Sequence, residues 1–100
     1  MSNALITLAS YQAMLAASAL AEGVSYDVVA QPRRRRAATR RARYVGLYLA
    51  ATTLGVSQAQ VARFSGVSRQ AVSRICMTVE DWRDDPVIDA HIAKLEEVFQ

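Results

Sequence analysis

The segment Gln58-Ala-Gln-Val-Ala-Arg-Phe-Ser-Gly-Val-Ser-Arg-Gln-Ala-Val-Ser-Arg-Ile-Cys76 carries the pattern on which the fold turns. Val61, Val67, Val72 and Ile75 recur where they would fill the wedge between two crossing helices. Ala62 is small enough for the second helix to approach, and Gly66 allows the chain to turn sharply between them. Ser57, with Gln60 three residues on, forms a capping-box pattern for the first helix, and Ser68 is the cap of the second. The segment from about 57 to 80 therefore reads as a helix-turn-helix. Ser68, Arg69, Gln70, Ser73 and Arg74 are left on the outer side of its second helix. Arginine matches the guanine edge and glutamine the adenine edge in a DNA major groove, so these five are the candidate base-reading residues.

Working outward, Val79 and Trp82 extend the buried side of the second helix to about Arg83. Asp85-Pro86 then signals a new helix start, because aspartate accepts free backbone amides and proline at the first helical position withholds none that is needed. Ile88, Ile92, Leu95 and Phe99 follow at spacings of four, three and four, predicting a last amphipathic helix with its acids toward water. Upstream, Ala42, Val45, Leu49 and Thr52 mark one side of a helix from Arg40 to Leu54-Gly55, with Tyr48 beside them. Before it lies a linker over 31–39, counted with Arg40 as a basic loop: Pro32 followed by Arg33, Arg34, Arg35 and Arg36, whose mutual repulsion opposes packing. Val24 to Val29 has room for one or two helical turns after Ser25. Leu5, Leu8, Gln12, Leu15 and Ala19, widened by Ile6, Ala9, Ala16 and Leu20, predict a first helix from about 3 to 21, ended by Glu22-Gly23. The expected architecture is all-α, a single domain over residues 1–100 built of five to six helices around the helix-turn-helix.

Charge is segregated along the chain. Ten arginines and no acid occupy positions 33 to 74, whereas positions 80 to 100 hold seven acids against Arg83 and Lys94. Eleven of the twelve basic residues are arginine, the side chain suited to bidentate contact with phosphate and guanine. An anionic polymer is the expected partner. The stretch from Ala4 to Ala21 is free of charge, but no basic residue precedes it, and Ser10, Gln12 and Ser18 interrupt it. It reads as neither a secretory signal nor a membrane span, and the expectation is a cytoplasmic protein. Cys76 is alone and reads as an inert thiol on the inner side of its helix. His91 has no ligand-type neighbours, and Asp84, Asp85 and Asp89 are explained by helix capping, so no metal is expected. No Ser/His/Asp, Cys/His or paired-carboxylate arrangement points to catalysis, and none of the residues asks for a cofactor.

With elements in this order, the chain resembles the C-terminal DNA-binding domain of the bacterial chromosomal replication initiator DnaA, whose fold is of the Trp-repressor-like helical type. Val24-Ser-Tyr-Asp-Val-Val looks like that family's second short element, Arg33 to Arg36 like its basic loop, and Arg41-Ala42-Arg43 like its Arg-x-Arg. Phe64-Ser65-Gly66 is similar to its Phe-Gly-Gly, and Val72 through Cys76 continue the pattern. The departure is at the reading head, where Ser68-Arg69-Gln70-Ala71 stands in place of Asp-His-Thr-Thr, exchanging a thymine-methyl contact for an amide. There is no Gly-x-x-x-x-Gly-Lys-Ser/Thr loop for ATP.

The resemblance and the residues together predict a sequence-specific, double-stranded DNA-binding protein, a small bacterial or phage transcription regulator acting by occupancy. Arg33, Arg34, Arg35 and Arg36 are expected to follow phosphates or enter the minor groove as an arm, and Arg40, Arg41 and Arg43 to hold the backbone at a helix start. Arg63 is a weaker candidate on the outside of the first helix of the pair. The alternative is a protein-interaction module that modulates replication initiation or polymerase by docking through its first and last helices. Exposure of Leu5, Leu8 and Leu15 would favour a homodimer.

Overall fold

A computed structural model of the chain describes residues 4–31 and 37–98. All regular structure among them is helical: α1 (Ala4–Glu22), α2 (Tyr26–Val29), α3 (Ala37–Thr52), α4 (Gln58–Ser65), α5 (Arg69–Trp82) and α6 (Pro86–Val98). Arg33, Arg34, Arg35, Arg36 and Phe99 lie outside the described residues.

α1 and α3 form the most extensive helix pair and the centre of the core. α1 buries Tyr11, Met14, Leu15, Ser18 and Ala19, residues three and four apart that form one stripe. Opposite them α3 buries Ala42, Val45, Leu47, Tyr48, Leu49 and Ala50. The two backbones meet at Gly46, where a Cβ would stand 2.7 Å from Leu15 Cδ1 and 3.2 Å from Leu15 Cα. Ser18 turns its hydroxyl to the same seam and donates to the Ala42 carbonyl at 2.7 Å, so this buried hydroxyl is satisfied. Ser18 and Ala19, the small buried residues of α1, and Gly46 of α3 let the two helices come near. The leucine argument for a homodimer fails here, because Leu15 is 1% exposed and Leu8 packs against the core. The side chain of Leu5 lies outside the described residues.

Gly23 (φ 70°) ends α1 with the Val24 amide donating back to Ala19 O and the Gly23 amide to Leu20 O, the paired pattern of a left-handed helix stop. α2 begins as expected after Ser25, whose Oγ accepts from the Val28 amide at 3.3 Å. α3 starts at Ala37, three residues before the expected Arg40. Two alanines favour the helix there, and Thr39 is buried, so packing carries the helix into what reads by charge as linker.

α6 is docked by Ile92 and Leu95, which are buried, with Ile88 partly so. The expectation that its acids all face water is corrected. Arg83, just past the end of α5, donates from Nε to Asp89 Oδ1 at 2.6 Å and from Nη1 and Nη2 to the two oxygens of Glu96 at 3.0 and 3.1 Å. Glu96 is the largest cause, and Asp89 the next, of the upward displacement of the Arg83 pKa. Tyr48 joins this knot from α3, its hydroxyl donating to Glu80 Oε2 at 2.7 Å. Trp82 is half-buried and stacks on Tyr44 with ring centroids 5.7 Å apart and planes 14° from parallel.

Candidate nucleic-acid interface

The α4–α5 unit is shaped by three local devices. Ser57 (φ −61°, ψ 149°) caps α4 by accepting from the Gln60 amide at 3.2 Å. Its hydroxyl in turn donates to Gln60 Oε1 at 3.3 Å, so the box closes between side chains. Gly66 takes the left-handed conformation (φ 80°), and its amide donates to Ala62 O at 3.0 Å, terminating α4 after eight residues. Ser68 (φ −73°, ψ 158°) accepts from the Ala71 amide at 3.0 Å and starts α5 one residue later. Val61 and Val72 are fully buried and Ile75 nearly so, with Val67 and Ala62 packed beside them, which sets the two helices against each other.

This geometry turns the first turn of α5 outward. Ser68, Arg69, Gln70 and Arg74 are exposed and Ser73 is half-buried. Arg69, Gln70 and Ser73 line an open cleft of about 400 Å³, whose fourth wall is Gln58 at the first position of α4. None of these four side chains has a bonding partner among the described residues. Gln58 was not singled out from the sequence; its position straight after a capping serine is the signal that could have found it. Arg74 lies on a separate cleft of about 310 Å³ with Arg43, Tyr44, Val67, Ala71, Ile75 and Thr78, between α5 and α3. Between Asp27 and Glu80 the sequence has no acid, so the α4–α5 turn carries no carboxylate of its own.

The three arginines expected at the start of α3 part company. Arg40 is exposed and unpaired among the described residues. Arg41 is exposed but donates from Nε to Glu22 Oε1 at 3.1 Å, and it borders a third cleft, of about 220 Å³, with Val45, Trp82, Val87, Ile88 and His91. Arg43 is the correction: it is 6% exposed, and its guanidinium donates to Val29 O at 3.3 Å and Gln31 O at 2.7 Å. Residues two apart on a helix point about 200° apart, so the arginines of an Arg-x-Arg cannot both face one phosphate. Arg43 instead satisfies carbonyls left free where α2 ends, a need invisible without the fold. Burial lowers its pKa, with Tyr44 and Tyr11 opposing. Arg43 is a structural tie here, its guanidinium bonded to backbone carbonyls while its side chain borders the Arg74 cleft.

Tyr11 and Cys76 serve the core. Tyr11 packs on Phe64 with ring centroids 5.4 Å apart and planes tilted by 48°, and burial pushes its phenol up to about 12. Cys76 is half-buried, and burial, then Glu80, raises its thiol pKa, as suits an unreactive sulfur. Among the described residues no three His, Cys, Asp or Glu side chains gather as metal ligands, and no helix is long and apolar enough to cross a membrane. No protein-family model, curated protein or solved structure matches this chain.

Proposed function

We propose that this protein binds double-stranded DNA in a sequence-specific manner and regulates by occupancy, without catalysis. The observation that carries the reading is the outward first turn of α5: Arg69, Gln70 and Ser73 stand unpartnered in one open cleft, capped and held by the α4–α5 wedge. Donor-rich arginine and the donor-acceptor pair of glutamine are the side chains that discriminate base edges in a major groove. Arg74, Arg40 and Arg63 add positive charge for phosphates, and the four arginines of the loop add more. In this reading the chain is a relative of the initiator's DNA-binding domain with a reading head of its own, serving in the bacterial cytoplasm as a transcription regulator. Titration against random duplex and genomic fragments at rising salt tests it. Binding that favours particular fragments supports the proposal, and equal binding everywhere removes the specificity.

A second reading, a docking module for a replication or transcription protein or for a second copy, is favoured by the outer face of α1. Ala9, Gln12, Ala13, Ala16 and Leu20 are all exposed there, without a charge among them, and Leu20 is 82% exposed. Sedimentation with and without duplex separates the two: a monomer that shifts only on adding DNA excludes the self-association form.

A further inference from the structure

We propose that the cleft bounded by Glu22, Arg41, Trp82 and His91 is a binding site for a free α-amino acid with an apolar side chain. The site shares no residue with the α5 cleft, so the inference goes beyond duplex recognition and does not depend on it.

Four helices meet there. Glu22 is the last residue of α1, Arg41 and Val45 come from α3, Trp82 ends α5, and Val87, Ile88 and His91 belong to the first half of α6. Val45, Trp82, Val87 and Ile88 make apolar walls, and their cleft of about 220 Å³ falls below the ~300–1,000 Å³ of pockets for drug-sized ligands. A smaller molecule fits it. Val87 is 78% exposed, apolar surface that an occupant of the cleft would take from water.

The charges lining the cleft decide which small molecule. Arg41 uses only Nε on Glu22 Oε1, at 3.1 Å, so both Nη groups and the second carboxylate oxygen are unspent among the described residues. A purely apolar occupant would strip water from this pair and supply no partner, which is unfavourable for Glu22, already only 17% exposed. An anion would meet Arg41 but face Glu22, and an amine would meet Glu22 but face Arg41. A zwitterion satisfies both at once, its carboxylate on the Arg41 Nη groups and its ammonium on Glu22 Oε2, with one tetrahedral carbon between them. α1 adds to the pull on the ammonium, because its negative end lies at Glu22 and its last turn carries no basic residue. His91 has a ring N–H to offer the second carboxylate oxygen of the ligand. The side chain of the amino acid is left to lie among Val45, Trp82 and Ile88, so it must be apolar.

The test titrates L-leucine into the whole protein and follows the emission of Trp82, the only tryptophan, together with thermal melts. A saturable change in emission is expected, and L-leucine at about ten times its dissociation constant should raise the thermal midpoint by about 6–11 °C. Three analogues dissect the recognition. Isocaproate lacks the ammonium, isoamylamine lacks the carboxylate, and N-acetyl-L-leucinamide presents the side chain as a protein partner would. Each should bind wild type at least about fivefold more weakly than L-leucine. Glu22→Gln should erase the advantage of L-leucine over isocaproate, and Arg41→Gln its advantage over isoamylamine, a selective pattern that mere loss of structure would not produce. The analogue series uses wild type alone, so it decides the matter whether or not either variant folds. No saturable change up to about 10 mM L-leucine overturns the inference. So does any analogue that binds as tightly as L-leucine, the acylated one by giving the cleft to a protein segment. A dimer in sedimentation that Val87→Asp abolishes would give it to a second copy and overturn the inference as well. Each of these failures leaves duplex recognition intact.

Discussion

Replacing Arg83 by methionine keeps the aliphatic stem and removes the fork that ties α6 to the rest of the molecule. The side chain is 19% exposed and spans Asp89, 48% exposed, and Glu96, 25% exposed. The exposed Asp89 contact is worth little despite its 2.6 Å length, about 0.5–1 kcal/mol, because water screens it. The bidentate Glu96 pair is better sheltered, and two charge-assisted bonds in that setting contribute about 2 kcal/mol. The change also leaves Glu80, Asp89 and Glu96 with no cation between them, so the total loss is roughly 3 kcal/mol, large against the ~5–15 kcal/mol of a domain. For a chain of this size that lowers the thermal midpoint by roughly 12–24 °C. Urea melts followed by Trp82 fluorescence and by far-ultraviolet circular dichroism measure it, since Trp82 is the only tryptophan and directly precedes Arg83. Amide exchange should quicken first in α6. Duplex affinity at low temperature should stay within about twofold, because the knot touches none of the residues in the α5 cleft. A stability change below about 0.5 kcal/mol would refute the reasoning, showing the knot to be a solvated surface pairing.

Further outcomes follow from the same geometry. Gln70→Ala should cost about 1–3 kcal/mol on the preferred site and little on random duplex, read by competition titration; equal losses would make Gln70 a bystander. Arg74→Ala and Arg40→Ala should each flatten the log–log salt dependence of binding by about 0.9 if each meets one phosphate, whereas Arg43→Lys should leave that slope unchanged and lower the melting temperature. Tyr11 links stability to alkaline pH: the folded phenol holds its proton to about 12 against 10.0 when free, so stability is intact below pH 10 and falls as pH rises toward 12. The Tyr11 contribution to the slope reaches at most about 1.4 kcal/mol per pH unit, and urea melts of Tyr11→Phe over that range should fall less steeply, the buried Tyr48 phenol, also raised, keeping its own share.

Much of the molecule was legible because local rules and tertiary packing agree. Ser57, Gly66 and Ser68 announce the ends of α4 and α5, and each acts through its own backbone neighbours, which adjacency in sequence guarantees. The outward placement of Arg69 and Gln70 follows from the same periodicity that buries Val72 and Ile75. α3 starts three residues before Arg40, the end of the basic loop, since a charge run marks where a chain is basic, whereas Thr39 is packed into the core within the helix.

Sequence alone determined the helical class, the order of the elements, the caps, and which side chains are left over on the first turn of α5, because those depend on interactions spanning at most about four residues. Tertiary structure alone decided the fate of the charged groups. Arg43 is drawn inward by carbonyls 12 and 14 residues away, Arg83 is held by Asp89, Glu96 and Tyr48, Arg41 is paired with Glu22 at the surface, and Gln58 shares a cleft with Gln70. A long polar side chain takes its partner from whatever the packed core places within reach, and apolar burial, which fixes that packing, is indifferent to which charge it brings to which.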